Sequence, residues 1–208
     1  MKIISKYSHL NGLEWLLYTN KELWEEIENA LHNVDAEQCR TKISKEKTIF
    51  GEKLYSPSVL NKEIKKQLHI KGWCTPQRYD YFLSDDIDII KHMIHNNMSM
   101  NEQENYIKSL GKNPKNFHKG FNQSDFFKNR ISIEVQFGKY SFVQYDFYKH
   151  SAGYLQNKID LGIEIVPMKS MEKHMSSGPS NYERNLHEIL CQGRIFPPVP
   201  LILIGVDK

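Results

Sequence analysis

The sequence has little cysteine and no long apolar run. Its three cysteines, Cys39, Cys74 and Cys191, are far apart and form no C-x-x-C pair. This argues against a disulfide framework or a zinc site and favours reduced thiols in a cytosol. No apolar segment approaches the length of a membrane span, and the N-terminal residues lack the apolar core of a signal peptide. We therefore expect a soluble cytoplasmic protein without a membrane partner.

The chain also has little excess of one charge sign, since the net charge is only +3 over 208 residues. This mildly basic balance permits a nucleic-acid partner but does not argue strongly for one. A glycine-rich phosphate loop is absent, so nucleotide hydrolysis is not indicated. Hydrophobic residues make up 39% and aromatic residues 12% of the chain. This composition predicts a single folded domain over residues 1–208.

The second half of the chain carries the clearest structural pattern. Residues 130–137 alternate between apolar and polar side chains, which predicts a strand. Residues 159–166 are predicted to form another strand, and residues 200–206 are an apolar run typical of a buried central strand. Residues 140–156 and 181–192 between them have helical spacing. Strands alternating with helices predict an α/β sheet that is covered by helices.

The first half is predicted to add mostly helices. A short strand is expected at residues 2–7, and Asn20 is expected to cap a helix at residues 21–33. Residues 40–58 are predicted to form a basic loop. The remaining predicted elements are helices at residues 59–68, 85–96 and 101–110 and a strand at residues 79–82.

The alternating strand also carries candidate chemistry. Glu134 and Gln136 are two residues apart and leave the same face of the strand, and Asp125 lies nine residues before Glu134. If a turn brings Asp125 back beside Glu134, the two carboxylates and the carbonyl of Val135 can hold a hard cation such as Mg²⁺. Such a metal lowers the pKa of a bound water and stabilises charge on a phosphodiester. The spacing D-x8-E-x-Q alone is weakly specific, because a glutamate on the solvated face of a strand is common.

A longer set of motifs makes the pattern specific. Residues 122–142 read NQSDFFKNRISIEVQFGKYSF. Together they resemble the catalytic region of the PD-(D/E)XK nucleases, and within them the BstYI and BglII group of BglII/BamHI-like type II restriction endonucleases. Further matching segments follow this group in order along the chain, at residues 7–14, 39–48, 54–57, 158–169, 175–178 and 200–205. The resemblance is weakest at residues 79–119. It implies an α/β fold of the PD-(D/E)XK restriction-endonuclease type, with a central mixed β-sheet flanked by helices.

The resemblance also assigns roles at the catalytic centre. It implies that Asp125 and Glu134 are ligands of Mg²⁺, together with the carbonyl of Val135, and that Gln136 stands where most of the superfamily has lysine. A neutral glutamine can hydrogen-bond and position a group but carries no charge. The metal must then do most of the acid–base work, and the identity of the general base stays open.

DNA-contacting residues are implied in the same way. Lys139 is expected to reach base edges, where a lysine suits the acceptors of guanine, and Ser176 and Ser177 are expected to hydrogen-bond bases. Without the resemblance, these residues would be interpreted as a solvated lysine and helix-capping serines. The residues expected to contact the DNA backbone are Arg40, Lys42, Lys45 and Lys47.

The implied function is Mg²⁺-dependent double-strand cleavage of DNA by a homodimer. The expected site is a palindrome with a GATC core, R^GATCY or A^GATCT, cut to leave 5′ overhangs and 5′-phosphates. The resemblance places the enzyme in a bacterial cytoplasm beside a methyltransferase that protects the host DNA. The helix at residues 21–33 and the helix after Lys139 are candidate dimer contacts. The alternatives are a structure-specific repair nuclease, a non-catalytic DNA-binding protein and an α/β protein unrelated to DNA.

Overall fold

The computed structural model describes residues 1–73, 78–176 and 178–208. Cys74 and Ser177 therefore lie outside the described residues. The chain divides into two compact units, one made of residues 1–75 and 125–208 and the other of residues 76–124. The expectation of a single domain over the whole chain remains a prediction. None of the described helices is both long enough and apolar enough to cross a lipid bilayer.

The larger unit contains a central sheet, a small hairpin and the helices that cover the sheet. Its strands are β1 (Lys2–His9), β2 (Lys42–Ile43), β3 (Lys53–Leu54), β6 (Phe126–Lys128), β7 (Ile131–Val135), β8 (Leu161–Pro167) and β9 (Leu201–Asp207). Its helices are α1 (Gly12–His32), α2 (Pro57–Ile70), α5 (Ser141–Leu155), α6 (Lys169–Glu172) and α7 (Tyr182–Gln192).

The central sheet has five strands in the order β1-β9-β8-β7-β6. Strands β7, β8 and β9 run parallel, and both edge strands are antiparallel to their neighbours. Parallel strands need crossover connections, and α5 and α7 supply them. The sheet is therefore mixed and flanked by helices, which confirms the predicted architecture.

Both faces of the sheet are covered. On one face, Ile131, Ile133 and Val135 of β7 join a core cluster that includes residues of α1 and α2. On the other face, Val143 and Phe147 of α5 belong to a second cluster with residues of β8, β9 and α7. Side chains of a strand alternate between the two faces, so Glu134 points to the side that α5 covers. It does not lie on a solvated face, as a glutamate of an amphipathic strand would.

Two elements differ from the sequence prediction. Helix α1 begins at Gly12, well before the predicted start. Asn20 has non-helical backbone angles inside it (φ −160°, ψ 72°), and its Oδ1 accepts a hydrogen bond from the N–H of Leu23 at 3.4 Å. The predicted cap is therefore present, but at a kink in a longer helix. The basic loop contains the short antiparallel hairpin of β2 and β3.

The smaller unit packs two helices with a hairpin. It comprises β4 (Arg78–Leu83), α3 (Ile87–His95), α4 (Met100–Ser109) and β5 (His118–Gln123). Strands β4 and β5 pair antiparallel, and the unit has its own apolar cluster around Phe82, Met93 and Ile107. Asp86 caps α3, and Ser99 with Glu102 forms a capping box on α4. The predicted strand and both helices of this region are therefore present.

Candidate active site

A tight hairpin brings Asp125 beside the end of β7. Strands β6 and β7 pair antiparallel through a turn in which Asn129 and Arg130 have φ of 48° and 62°. Left-handed residues at both central positions give a turn whose twist suits two antiparallel strands. The carboxylate of Asp125 then accepts a hydrogen bond from the N–H of Val135 at 3.0 Å. The first predicted carboxylate therefore lies next to the residue that follows Glu134.

Glu134 is buried beneath α5, with 2% of its surface exposed. Its Oε1 lies 2.7 Å from the ammonium nitrogen of Lys149, and the same nitrogen lies 2.8 Å from Oδ1 of Asp146. Asp146 and Lys149 are three residues apart on α5, so their side chains share a face of the helix. The site thus contains one lysine held between two carboxylates.

Gln136 links the strand to this helix. Its Nε2 donates to Oδ2 of Asp146 at 3.1 Å, and its Oε1 accepts from the N–H of Gly138 at 2.9 Å. A Cβ at Gly138 would lie 2.7 Å from Oε1 of Gln136, which is closer than such contacts occur. Glycine at this position therefore leaves room for Oε1 of Gln136 to accept the N–H of Gly138.

Burial and mutual contact shift the pKa values of Glu134, Asp146 and Lys149. Burial raises the pKa of the Glu134 carboxyl well above its usual range, against the opposing effect of Lys149, and Asp146 adds to the increase. Burial likewise raises the pKa of Asp146. Burial alone would lower the pKa of Lys149, but the facing carboxylates of Glu134 and Asp146 outweigh it and raise that pKa. The site therefore carries more carboxyl groups than one ammonium can neutralise, and a divalent cation would balance them.

A second buried pair lies behind Glu134. Glu134 and Glu164 are in register on the parallel strands β7 and β8. Glu164 is fully buried, and its Oε2 is 3.7 Å from Nε2 of His150, which is too long for a hydrogen bond. Burial raises the pKa of Glu164 well above its usual range and lowers that of His150 to about 3.

The donor set suits magnesium. Asp125 and Glu134 offer carboxylates and Val135 offers a backbone carbonyl, so every proposed ligand atom is oxygen, the element that Mg²⁺ prefers. Within the described parts of the chain, no three His, Cys, Asp or Glu side chains are grouped to hold a metal ion. A site for Mg²⁺ does not require three, because this ion usually takes one or two carboxylates and completes its shell with water and substrate phosphate.

The predicted recognition residues come together on a neighbouring surface. Lys139 forms an isolated antiparallel bridge with Pro179, and the N–H of Tyr140 donates to the carbonyl of Gly178 at 2.8 Å. The hydroxyl of Ser176 accepts a hydrogen bond from Lys42 Nζ at 2.7 Å. We call Lys139 and Ser176, which were predicted to contact bases, together with Lys42, which was predicted to contact the backbone, the recognition surface. Three segments that are far apart in sequence therefore meet beside the end of β7, while Ser177 lies outside the described residues.

The other basic residues have different surroundings. Arg40 donates to the carbonyl of Lys53 at 2.9 Å and lies over the ring of Tyr55 at 5.2 Å. Its guanidinium therefore helps to hold the basic segment in place. Lys45 and Lys47 are exposed to solvent. These two side chains, together with Lys42, are the better placed of the predicted backbone contacts.

Sequence reasoning missed Asp146, Lys149, His150 and Glu164. Glu164 had one visible signal, because it is a charged residue inside an otherwise apolar strand, where carboxylates are rarely buried without a role. The spacing of Asp146 and Lys149 also placed them on one face of a helix. Nothing in the sequence showed that this face meets Glu134, since that contact depends on how α5 packs on the sheet.

Comparison with known proteins identifies relatives along the whole chain. The family model described as "Restriction endonuclease BglII/BglIII" matches residues 4–206. A crystal structure of restriction endonuclease BglII complexed with a DNA 16-mer superposes with a TM-score of 0.67 at 19% identity, covering 100% of this chain and 79% of that chain. Free BglII gives 0.58 at 18% identity, covering 100% and 80%. No curated protein sequence matches this chain. The structural matches confirm the predicted PD-(D/E)XK restriction-endonuclease fold.

Proposed function

Because this chain belongs to the BglII/BglIII family of restriction endonucleases, we propose that it makes Mg²⁺-dependent double-strand breaks at a palindromic DNA site. Family and fold together make it a type II site-specific deoxyribonuclease. The proposed site has a GATC core, R^GATCY or A^GATCT, and its cleavage leaves 5′ overhangs and 5′-phosphates. This finer assignment rests on the motifs shared with the BstYI and BglII group.

One observation carries the proposal. The carboxylate of Asp125 is held at the N–H of Val135, next to the buried Glu134, and the same chain segment leads directly to Lys139. Between Glu134 and Lys139 the chain leaves β7 and turns, and α5 begins shortly afterwards at Ser141. A metal-binding centre and a base-reading residue on one rigid segment would place the cut at a fixed distance from the bases that are read.

The proposed chemistry divides between the metal and the chain. Mg²⁺, when bound, would lower the pKa of a bound water and stabilise charge on the phosphodiester. Asp125, Glu134 and the carbonyl of Val135 would hold the ion. Gln136, fixed by Asp146 and by the N–H of Gly138, would position groups through its amide and would not move a proton.

Recognition is proposed for the surface beside this centre. Lys139 would donate to the acceptors of guanine, and Ser176 and Ser177 would hydrogen-bond neighbouring bases. The side chains of Lys42, Lys45 and Lys47 would contact phosphates, with Arg40 supporting their segment. The similarity to a BglII crystal that contains a DNA 16-mer supports double-stranded DNA as the partner.

A homodimer is proposed because a two-fold protein most simply reads a palindrome. Phe142, Tyr145 and Tyr148 recur along α5, and each is about half exposed (51%, 49% and 52%). An exposed apolar row of this kind favours α5 as a dimer contact, with α1 as the other candidate. A bacterial cytoplasm and a methyltransferase that modifies the same site complete the proposal.

The test is cleavage of unmethylated DNA of known sequence, with and without Mg²⁺, followed by mapping of the ends. Discrete Mg²⁺-dependent fragments that end at GATC-containing palindromes are expected, and the mapped ends give the outer base pair. Cutting that follows DNA structure instead of sequence would favour a repair nuclease. Specific binding by folded dimeric protein without any cutting would favour a non-catalytic DNA-binding protein.

A further inference from the structure

Lys149 occupies an unusual position for a lysine. Its ammonium lies 2.7 Å from Glu134 and 2.8 Å from Asp146, and only 14% of its side chain is exposed. Glu134 is the carboxylate on which the proposed metal site depends. A positive charge of the chain itself therefore contacts the group that a divalent cation would use.

We propose that Lys149 is the resident counter-ion of the metal site and that it controls metal loading by competing for Glu134. This inference rests on the proposed function, because it concerns the same site. The ammonium lies on Oε1 of Glu134, so a cation that takes this oxygen displaces it. Lys149 keeps a partner when this happens, since Asp146 lies on its own helix.

The arrangement around Asp146 supports this displacement. The two oxygens of Asp146 have separate partners, because Oδ2 accepts from Gln136 and Oδ1 faces Lys149. The hydrogen bond from Gln136 ties Asp146 to the strand that carries Glu134. The ammonium can thus leave Glu134 while Asp146 stays fixed, and the carboxylate of Glu134 becomes available without a change in the backbone.

The excess of carboxyl groups explains why such a lysine is needed. Beside the buried Glu134 lie two further carboxylates, and both Asp125 and Asp146 make its ionised form less favourable. Lys149 is the ammonium that the described residues place against this charge. The same contact that stabilises the metal-free protein opposes the metal, because both cations need Glu134.

The experiment measures binding of Mn²⁺ to the DNA-free protein by calorimetry at one fixed pH. Lys149→Met is expected to bind Mn²⁺ about tenfold more tightly than the wild type, since removing a competing charge contact is worth a factor of this order. Lys149→Arg keeps the charge and should stay within about threefold of the wild type, well short of that tenfold change. Lys108→Met is the matched control, because it removes an ammonium that lies 2.7 Å from Glu104 on α4.

The direction of the change separates this role from a structural one. A lysine that only held the fold together would, when removed, loosen the site and weaken metal binding. If Lys149→Met does not fold, Asp146→Asn is compared with the double variant Asp146→Asn/Lys149→Met. The double variant leaves one fewer unpaired carboxylate than Lys149→Met alone. The double variant should again bind about tenfold more tightly than Asp146→Asn.

The outcomes also distinguish the two proposals. If the wild type and Lys149→Met both fold and neither binds Mn²⁺, the metal site itself is overturned, and with it the role of Lys149. A wild type that binds Mn²⁺, with Lys149→Met and the double variant binding equally or more weakly than their references, would overturn only the competition by Lys149.

Discussion

The carboxylate of Asp125 and the backbone N–H of Val135 are joined by a hydrogen bond of 3.0 Å. This bond fixes Asp125, which directly precedes β6, next to Glu134 on β7. An asparagine can accept the same hydrogen bond through its side-chain oxygen, and it carries no negative charge. The contact therefore offers a way to remove the charge of Asp125 while its position is kept.

Asp125→Asn and Glu134→Gln should each lower the cleavage rate by more than about 100-fold. Loss of a residue that only orients a metal ligand already costs about 10- to 100-fold, and loss of the ligand itself should cost more. Specific DNA binding should stay largely intact. Single-turnover cleavage at saturating Mg²⁺ and a binding assay without metal measure the two effects. Asp88→Asn, an exposed aspartate of α3, is the control and should cleave normally. Normal cleavage by either site variant would show that the centre is misassigned.

Gly138 and Gln136 should act as one unit. An added Cβ at Gly138 would lie 2.7 Å from Oε1 of Gln136 and would move the amide from its place. Gly138→Ala and Gln136→Ala should each slow cleavage by about tenfold, within the range for groups that orient a metal site. The double variant should be no slower than the worse single variant, since both remove the same contact. Losses that multiply would show that Gly138 acts independently of Gln136.

Lys139 should affect the choice of site more than the rate of cutting. A good lysine contact to a guanine edge contributes about 1–3 kcal/mol of discrimination, which corresponds to roughly 5-fold to 150-fold. Lys139→Ala should therefore narrow the preference for GATC over sites with one changed base. Competition cleavage on matched duplexes measures this ratio. Lys66→Ala on α2 is the control, because this exposed lysine lies outside the recognition surface. An unchanged ratio would remove Lys139 from the recognition set.

The fold was predictable because its strands and helices have strong local patterns. The alternation around Glu134, the strand expected at residues 159–166 and the apolar run that became β9 predicted the sheet. The helical spacing between them predicted its crossovers. The helix expected after the Asn20 cap is present, but the part of α1 that begins at Gly12 and ends at the Asn20 kink was not predicted. Local sequence cannot distinguish such a kink from a true helix start.

Only the part of the candidate site that comes from one short chain segment was predictable from the sequence. Asp125, Glu134 and Gln136 lie on one hairpin, so their proximity follows from a short turn and the alternation of a strand. Lys149 and Asp146 come from α5, and their contact with Glu134 depends on tertiary packing. The meeting of Lys42 with Ser176 likewise joins residues far apart in sequence. The resemblance to a family supplied roles for the hairpin residues, Lys42 and Ser176, but none for Asp146 and Lys149, and it supplied no contacts.

The last prediction concerns the buried imidazole of His150. Its side chain is fully buried between Glu164 and the backbone at Gly162, with Lys149 as its neighbour on α5. Burial, aided by the charge of Lys149, lowers its pKa from 6.5 to about 3. Between pH 6.5 and about pH 3, the unfolded chain therefore binds a proton at His150 that the folded protein does not bind.

His150→Phe should make the protein less sensitive to acid. Because the folded-state pKa of His150 is depressed, this residue does not lower the free energy of unfolding above pH 6.5. As the pH falls from 6.5 toward 3, it lowers that free energy by up to about 1.4 kcal/mol per pH unit. The raised pKa of Glu164 changes stability with pH in the opposite direction. Glu164 is present in both proteins, so its effect largely cancels when their stabilities are subtracted. Urea unfolding measured from neutral pH downward should show the wild type losing stability faster than His150→Phe. His95→Phe, which removes an exposed imidazole, is the control. Parallel curves for wild type and His150→Phe would mean that the folded protein accommodates the charged imidazole, contrary to its burial.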